Sequence, residues 1–220
     1  MPRESIKNKK TRAQEIETRL YATYGAGNPS LHFSNPFELT IAVVLSAQCT
    51  DEAVNKVTPK LFATYPHPAD LAAAPLADIE KIIHPLGFFR VKAQKLKGLA
   101  QMCVAEYAST VPANIDELQK LPGVGRKTAN CVMAAGFGKA HGIAVDTHVF
   151  RIAHRLNLAT KADSTPEKVE AKLMRLYDQK DWIYINHQMV LFGREFCRAK
   201  RPLCDSCPLS DLCPSAFVLN

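Results

Sequence analysis

Residues 121–130 read Leu-Pro-Gly-Val-Gly-Arg-Lys-Thr-Ala-Asn and predict a tight turn that leads directly into a helix. A helix does not continue through proline and two closely spaced glycines, so the turn is fixed at this point. Gly123 and Gly125, with Val124 between them, leave backbone N–H groups accessible at the helix N-terminus, a favourable position for a phosphate group. Lys127, in the first helical turn, is then either a phosphate ligand or an amine nucleophile.

The rest of the chain reads as almost wholly helical, which predicts an all-α fold. Ser34, Thr50 and Ser164 are expected to cap helices. The best candidate for a strand is the short segment 142–145, and disorder is expected at the basic residues 1–12. Helices are predicted at residues 13–24, from Ser34 to about 45, and at 51–65, 68–73, 77–83, 91–107, 117–121, 126–135, 147–156, 166–177 and 182–197.

The charge balance favours a polyanionic partner. The 220 residues carry a net charge of +7, and 47% of them are hydrophobic, as in an ordinary globular protein. The first twelve residues are polar and charged rather than a secretory signal. Apolar runs such as residues 41–45 are far too short to span a bilayer. We therefore expect a reducing compartment, in which metal ligation by cysteine is favoured over disulfides.

Four of the seven cysteines lie in the last 24 residues with the spacing Cys-x6-Cys-x2-Cys-x5-Cys. Four thiolates fit zinc or an iron–sulfur cluster. Structural zinc sites usually have two close cysteine pairs, and only one is present here, so the spacing favours a [4Fe–4S] cluster over zinc. The expected ligands are Cys197, Cys204, Cys207 and Cys213, whereas Cys49, Cys103 and Cys131 lie in helical runs and are expected to be buried.

Cationic residues lie between the first two of these cysteines. Arg198, Lys200 and Arg201 would contact DNA phosphates if the metal holds their segment against a duplex. The alternatives are a solvated surface loop, or compensation of the negative charge of the cluster and its thiolates.

Taken together, these motifs resemble the endonuclease III family of base excision repair. The resemblance rests on the glycine turn with Lys127, on Val-Asp-Thr-His at residues 145–148, and on the cysteine spacing. Ser-Ala-Gln-x-Thr-Asp at residues 46–51 also matches the family. The motifs follow in the right order from about Ser34 to Cys213, and as a set they are highly specific.

The resemblance implies two helical lobes with DNA across the cleft between them. Residues 29–139 would form a six-helix domain in which the glycine turn is a helix-hairpin-helix. Residues 1–28 and 140–220 would form the second domain, with the [4Fe–4S] cluster. The implied partner is duplex DNA with oxidised pyrimidines or abasic sites. The protein would be a monomer without a membrane association, in a bacterial cytoplasm and at the nucleoid through its DNA.

The resemblance also implies the chemistry of a DNA N-glycosylase with abasic-site lyase activity. Lys127 would attack C1′ of the damaged nucleotide, expel the base and form a Schiff base, and β-elimination would then cut the strand. A free lysine amine is protonated at neutral pH, so this role requires desolvation. The helix N-terminus contributes only ~0.3–1 kcal/mol at exposed sites, so desolvation must supply most of the activation.

Asp146 has two readings from the residues alone: it is a natural helix N-cap, and it is a candidate carboxylate for catalysis. In the implied mechanism it accepts a proton and stabilises positive charge on the sugar. The two roles are compatible, because cap hydrogen bonds would hold the carboxylate in place. His148, two residues later, is expected to serve in packing or to support the site.

Base flipping requires side chains that fill the gap in the duplex. The resemblance assigns this to Gln48 and to an apolar wedge at Phe88 and Phe89, where the family commonly has Leu and Tyr. Core packing is the alternative for both aromatic residues. Cys49 is a second departure, since a small residue such as Ala is expected there. These departures leave the base preference open.

Two other functions remain open at this point. An adenine-mismatch glycosylase shares the fold and the cluster, but it typically has Ser at the position of Lys127 and carries a further C-terminal domain. A non-catalytic, iron–sulfur helix-hairpin-helix protein that binds DNA or senses redox state would tolerate replacement of Lys127.

Overall fold

The computed structural model describes residues 4–26 and 30–218, and within these residues it is all-α. The chain divides into two compact units, one made of Pro29–Lys139 and the other of Met1–Asn28 with Ala140–Asn220. Each unit has its own hydrophobic core. Among the described residues, no helix combines the length and the apolar composition needed to cross a bilayer.

The unit Pro29–Lys139 is built around a central buried helix, α2 (Pro36–Leu45), whose residues from Leu39 to Leu45 are all buried. This agrees with the expectation from its nearly continuous apolar sequence. The glycine turn lies between the last two helices of the unit. The other helices of the unit are α3 (Asp51–Thr64), α4 (Pro68–Ala73), α5 (Leu76–Ile83), α6 (Phe89–Glu106), α7 (Ile115–Lys120) and α8 (Arg126–Phe137).

The cap of α2 differs from the prediction by one residue. Asn35, not Ser34, is the N-cap, and its side-chain oxygen accepts a hydrogen bond from the Glu38 amide at 2.9 Å. Ser34 instead donates its amide to the Glu38 carboxylate at 2.7 Å. Both residues are good caps, and Pro36 selects the one directly before it because proline is favoured in the first helical position. The predicted cap of α3 is confirmed, since Thr50 accepts from the Ala53 amide at 3.2 Å.

The other unit contains the helix α1 (Ile6–Tyr24) and, from the C-terminal part of the chain, α9 (Thr147–Arg155), α10 (Pro166–Leu176) and α11 (Trp182–Glu195). Two short 3-10 helices lie at Gln179–Asp181 and Ser210–Leu212. Helix α1 packs against α10 and α11. Its buried residues Ala13, Ile16 and Leu20 belong to the same core as those of the later helices.

Helix α1 begins seven residues before the predicted start, so the expected disorder is wrong for residues 6–12. Ser5 caps it by accepting from the Asn8 amide at 3.1 Å. Arg12 pairs with Glu4 and donates to the carbonyl oxygens of Leu156 and Leu212 at 2.7 and 3.0 Å. These contacts with distant residues order a segment that looks like a charged tail in the sequence. The predicted tail residues 1–3 and loop residues 27–29 lie outside the described residues.

Two further local predictions are wrong. The segment 142–145 is buried, but no strand is present among the described residues. Its apolar residues enter the helical core instead of pairing with a neighbour. Thr165, not Ser164, caps α10, and it accepts from the Lys168 amide at 3.4 Å. Here too the cap is the residue directly before a proline in the first helical position.

Candidate active site and cluster-binding segment

The turn between α7 and α8 depends on Gly123. Its φ of 86° lies in the left-handed region that side chains disfavour. A Cβ at this position would lie 3.1 Å from Cγ1 of Val44 and 3.2 Å from Cδ of Lys95. The turn therefore packs closely against α2 and α6. Only glycine can adopt the positive φ and also fit into this space.

The N-terminus of α8 faces outward from this turn. Gly125 is its N-cap and has no side chain with which to cap the helix, and a Cβ there would meet nothing within 4 Å. Val124 is buried, and its amide donates to the Leu121 carbonyl at 3.0 Å, which fixes the turn from below. The resulting open space in front of a helix N-terminus suits an anion.

Lys127 is the second residue of α8 and is exposed. Its amine therefore stands beside the anion position rather than in a dry pocket of its unit. The desolvation that a lysine nucleophile requires must come from the substrate.

Asp146 is the N-cap of α9, as one of its two readings predicts. Its Oδ1 accepts from the amides of His148 and Val149 at 2.8 and 2.9 Å. Among the hydrogen bonds of the described residues, none involves Oδ2. One oxygen thus holds the half-buried carboxylate in position, and the other is left for chemistry.

His148 connects Asp146 to the cysteine segment, residues 197–213, which contains the four closely spaced cysteines. Its Nδ1 lies 3.1 Å from Nη2 of Arg151, whose guanidinium also donates to the Cys197 carbonyl from Nε at 3.2 Å and from Nη2 at 3.1 Å. Burial lowers the pKa of His148; the nearby Asp146 opposes this shift, and Arg151 and Arg194 add to it. A neutral ring with Nδ1 as the acceptor fits this contact.

All four predicted cysteines line one cavity of about 390 Å³, a volume that includes solvent at its mouth. Its other walls are largely apolar, with Leu156, Phe192, Phe196 and Leu209 among them. Among the described residues, no group of three or more His, Cys, Asp or Glu side chains is arranged to hold a metal ion, and the four cysteines line the cavity without forming such a group. Burial raises the pKa of the Cys207 thiol to about 11.

Arg155, in the last turn of α9, lines the same cavity and organises the start of the cysteine segment. Its Nη1 donates to the Cys197 sulfur at 3.3 Å and to the Arg198 carbonyl at 2.6 Å. Its Nη2 donates to the Ala199 carbonyl at 2.9 Å. Hydrogen bonds of this kind stabilise a thiolate ligand and fix the backbone that follows it.

The cationic segment, residues 198–201, is exposed throughout. Arg201 has a left-handed backbone with φ of 53°, and its neighbour Leu203 returns to the helix end by donating its amide to the Phe196 carbonyl at 2.9 Å. Arg198, Lys200 and Arg201 are thus presented together at the edge of the cysteine segment.

Gln48 and Phe88 lie on two loops of the other unit, and both have left-handed backbones, with φ of 56° and 57°. Gln48 is exposed, and Phe88 is 68% exposed although it is a large apolar residue. Phe89, by contrast, packs against the core and contacts the His84 ring with a centroid distance of 4.7 Å. The core-packing alternative therefore holds for Phe89, and only Phe88 is available as a wedge.

The sequence interpretation missed Arg151, Arg155 and Gly193. A Cβ on Gly193 would lie 2.6 Å from Nδ1 of His148, so this glycine makes room for the histidine and arginine side chains. The two arginines lie one helical turn apart after Asp146, and this spacing is the signal that could have placed them on one face of α9.

Comparisons with known proteins agree with this arrangement. Residues 41–179 match the family described as HhH-GPD superfamily base excision DNA repair protein, and residues 197–213 match the iron–sulfur binding domain of endonuclease III. The chain is 46% identical over 209 residues to endonuclease III of Synechocystis sp., covering 95% of this chain and 94% of that protein. It is 48% identical over 180 residues to endonuclease III of Bacillus subtilis, with 82% and 81% covered.

A solved structure described as a trapped endonuclease III–DNA covalent intermediate, in an estranged-adenine complex, has the same fold. Its TM-score is 0.88 at 43% identity, and the match covers 94% of this chain and 96% of that one. The helix-hairpin-helix, the acidic helix cap and the cysteine-lined cavity define a DNA glycosylase of base excision repair that carries an iron–sulfur segment. Within that class, the chain belongs to the endonuclease III family. Its cofactor is accordingly a [4Fe–4S] cluster, not zinc.

Proposed function

We propose that this protein carries out base excision through Lys127 and Asp146. The protein is a DNA glycosylase and abasic-site lyase that acts on oxidised pyrimidines in duplex DNA. The observation that carries the residue assignment is the exposed Lys127 amine beside an uncapped helix N-terminus that is open to an anion. Backbone amides are enough to bind a phosphate there, which leaves the amine for covalent chemistry.

In this assignment the Lys127 amine attacks C1′ of the flipped nucleotide and the bond from C1′ to the base breaks. The base leaves with a proton, and opening of the sugar gives a Schiff base to Lys127. Loss of a proton from C2′ then breaks the bond from C3′ to oxygen, which cuts the strand, and water releases the lysine. Binding of DNA would exclude water from the site, and this desolvation is what an amine nucleophile requires.

Asp146 stabilises positive charge on the sugar and accepts a proton. The two amide hydrogen bonds to Oδ1 hold the carboxylate in place and orient Oδ2. In this proposal Asp146 acts on the sugar and not on the amine, and its contribution is made when positive charge develops.

Gln48 and Phe88 fill the gap left by the flipped nucleotide in this proposal. Their exposure and their left-handed backbones place an amide and an aromatic ring at the tips of two loops of one unit. Gln48 offers hydrogen bonds to the orphaned base, and Phe88 offers a surface for stacking.

Cys197, Cys204, Cys207 and Cys213 hold the cluster, in keeping with the cavity that they line. When bound, the cluster supplies iron–sulfur bonds that close the segment between the first and the last cysteine. Arg198, Lys200 and Arg201 then contact DNA phosphates next to this closed loop. With DNA as its substrate, we infer that the protein resides at the nucleoid.

Borohydride trapping on duplex DNA that contains an abasic site or an oxidised pyrimidine tests this assignment. The wild-type protein is expected to form a covalent complex, and Lys127→Ala is expected to form none. Lys139→Ala, which removes an exposed lysine just beyond the other end of α8, is the matched control and should trap normally. Trapping by Lys127→Ala would overturn the role of this lysine.

Asp146→Asn keeps a side-chain oxygen for the helix cap and removes the charge. It is expected to lower the rate of base removal by roughly 10²–10⁴ and to leave DNA affinity nearly unchanged. An unchanged rate would leave Asp146 as a cap alone.

A further inference from the structure

A buried lysine lies against a cysteine in the unit Pro29–Lys139. Lys92, in the first turn of α6, is only 4% exposed, and its Nζ donates to the Cys49 sulfur at 3.0 Å. Within the part of the chain that the structure describes, this sulfur is the hydrogen-bond acceptor of the amine, and no carboxylate lies at ion-pair distance. A buried amine requires a hydrogen-bond partner, and among the described residues the Cys49 sulfur fills this role.

The surroundings of Cys49 differ from those of the buried Cys103. Cys49 directly follows Gln48, with its left-handed backbone, and precedes Thr50, the N-cap of α3. Cys49 is also partly exposed, so a small reagent can reach it. Cys103 is the opposite case, since it is fully buried and burial raises its pKa to about 11.

We propose that Cys49 is a modification site for soft electrophiles and peroxides, with Lys92 as the residue that activates it. With hydrogen peroxide, the sulfur attacks one oxygen and the O–O bond breaks. The sulfur is oxidised to a sulfenic acid and the peroxide is reduced. The departing hydroxide takes up the proton of the thiol, by way of the adjacent Lys92 amine, and leaves as water.

Modification at this position would act on DNA binding. Cys49 is the neighbour of Gln48, and the Lys92 amide donates to the Phe88 carbonyl at 3.0 Å. The contact of Lys92 with Cys49 thus ties together the two loops to which we assign the gap-filling residues. An adduct on the sulfur breaks this tie and adds bulk beside Gln48, so the modified protein should bind DNA less tightly.

The effect on DNA rests on the proposed function, whereas the reactivity of the thiol does not. The primary measurement is therefore independent of catalysis. The protein with its cluster is treated with iodoacetamide, which forms an S–C bond and releases iodide, and peptide mass mapping follows the extent of labelling at each cysteine. Cys49 is expected to be labelled before Cys103 and Cys131.

Lys92→Met keeps the length of the side chain and removes the charge, and it should slow the labelling of Cys49 by about tenfold. Lys97→Met is the matched control, because Lys97 lies on the same helix and donates to the Ala74 carbonyl at 2.7 Å instead. Its labelling should equal that of the wild-type protein. Labelling of Cys49 in the wild type no faster than of Cys131 would overturn the proposal, as would an unchanged rate in a folded Lys92→Met.

A second arm uses hydrogen peroxide with a dimedone probe for sulfenic acid, while the visible absorbance reports whether the cluster stays intact. The wild-type protein is expected to acquire the probe at Cys49 and to lose DNA affinity before the cluster bleaches, and a thiol reductant should restore this affinity. Cys49→Ala should retain its affinity under the same treatment. Labelling without any change in affinity would refute the effect on DNA but retain the modification site.

Discussion

At the scale of single residues, Gly193 shows how closely α9 and α11 are fitted. A Cβ there would lie 2.6 Å from Nδ1 of His148 and 3.1 Å from Nη2 of Arg151. The first distance is shorter than real Cβ contacts allow, and the two atoms belong to side chains that link Asp146 to Cys197.

We predict that Gly193→Ala destabilises the protein by ~1–3 kcal/mol, since an added methyl group must displace this pair of side chains. Urea denaturation of the protein with its cluster measures the change. Gly87→Ala is the control, because a Cβ at Gly87 meets nothing within 4 Å. Equal stability of the two variants would show that the histidine and the arginine move aside at little cost.

Candidate residues for the chemistry could be named from the sequence where a local pattern points to them. Lys127 follows a glycine turn, and the cysteines have a diagnostic spacing, so both could be named before the fold was known. Arg155 could not, because its partners lie more than 40 residues later in the chain. The sequence also did not predict that Phe88 is exposed whereas Phe89 packs against the core, because this difference depends on tertiary packing.

At the scale of elements, the cationic segment 198–201 is held by its backbone. Arg155 donates to the carbonyl oxygens of Arg198 and Ala199, so a residue outside the segment holds its backbone. The exposed cationic side chains of the segment are available to a polyanion.

Arg198→Ala and Lys200→Ala are each expected to weaken DNA binding and to reduce the slope of log affinity against log salt by ~1 for each phosphate that the variant no longer neutralises. Fluorescence anisotropy with a duplex over a series of salt concentrations measures the slope. Lys168→Ala, at an exposed position on α10 of the same unit, should leave it unchanged. An unchanged slope in the first two variants would show that Arg198 and Lys200 do not contact DNA phosphates.

Helix boundaries followed from the sequence where a single good cap precedes the helix, as Thr50 does for α3. They were missed where two candidates are adjacent, as at Ser34 and Asn35. The start of α1 was missed for another reason. Its first turns are charged, and they are ordered by contacts such as that of Lys9 Nζ with the Asn157 carbonyl at 2.6 Å, which no local pattern contains.

At the scale of the whole molecule, the four cysteines that we propose as cluster ligands lie in one of the two units. The cavity that they line is formed by residues between Arg155 and Ala216. Arg151 and Arg155 connect Cys197 to α9 by hydrogen bonds to its carbonyl and its sulfur. The unit Pro29–Lys139 has a hydrophobic core of its own.

Removal of iron with a chelator is therefore expected to increase amide hydrogen exchange in residues 197–213 and in the last turn of α9, because ligation there contributes to folding. Exchange in α2 and α8 should change little. Mass spectrometry of peptides from the two forms makes the comparison. A uniform increase over both units, or none at all, would contradict the assignment of the cluster to one unit.

The division of the chain also has a consequence for synthesis on the ribosome. Pro29–Lys139 is continuous, so all its helices are available once its last residue has emerged. Helix α1 is made first, but the helices that cover Ile16 and Leu20 are made last. The apolar face of α1 therefore remains exposed to solvent until these later helices have been synthesised. The polar and charged residues of α1, which resemble a disordered tail in the sequence, would keep the nascent helix dispersed until its partners arrive.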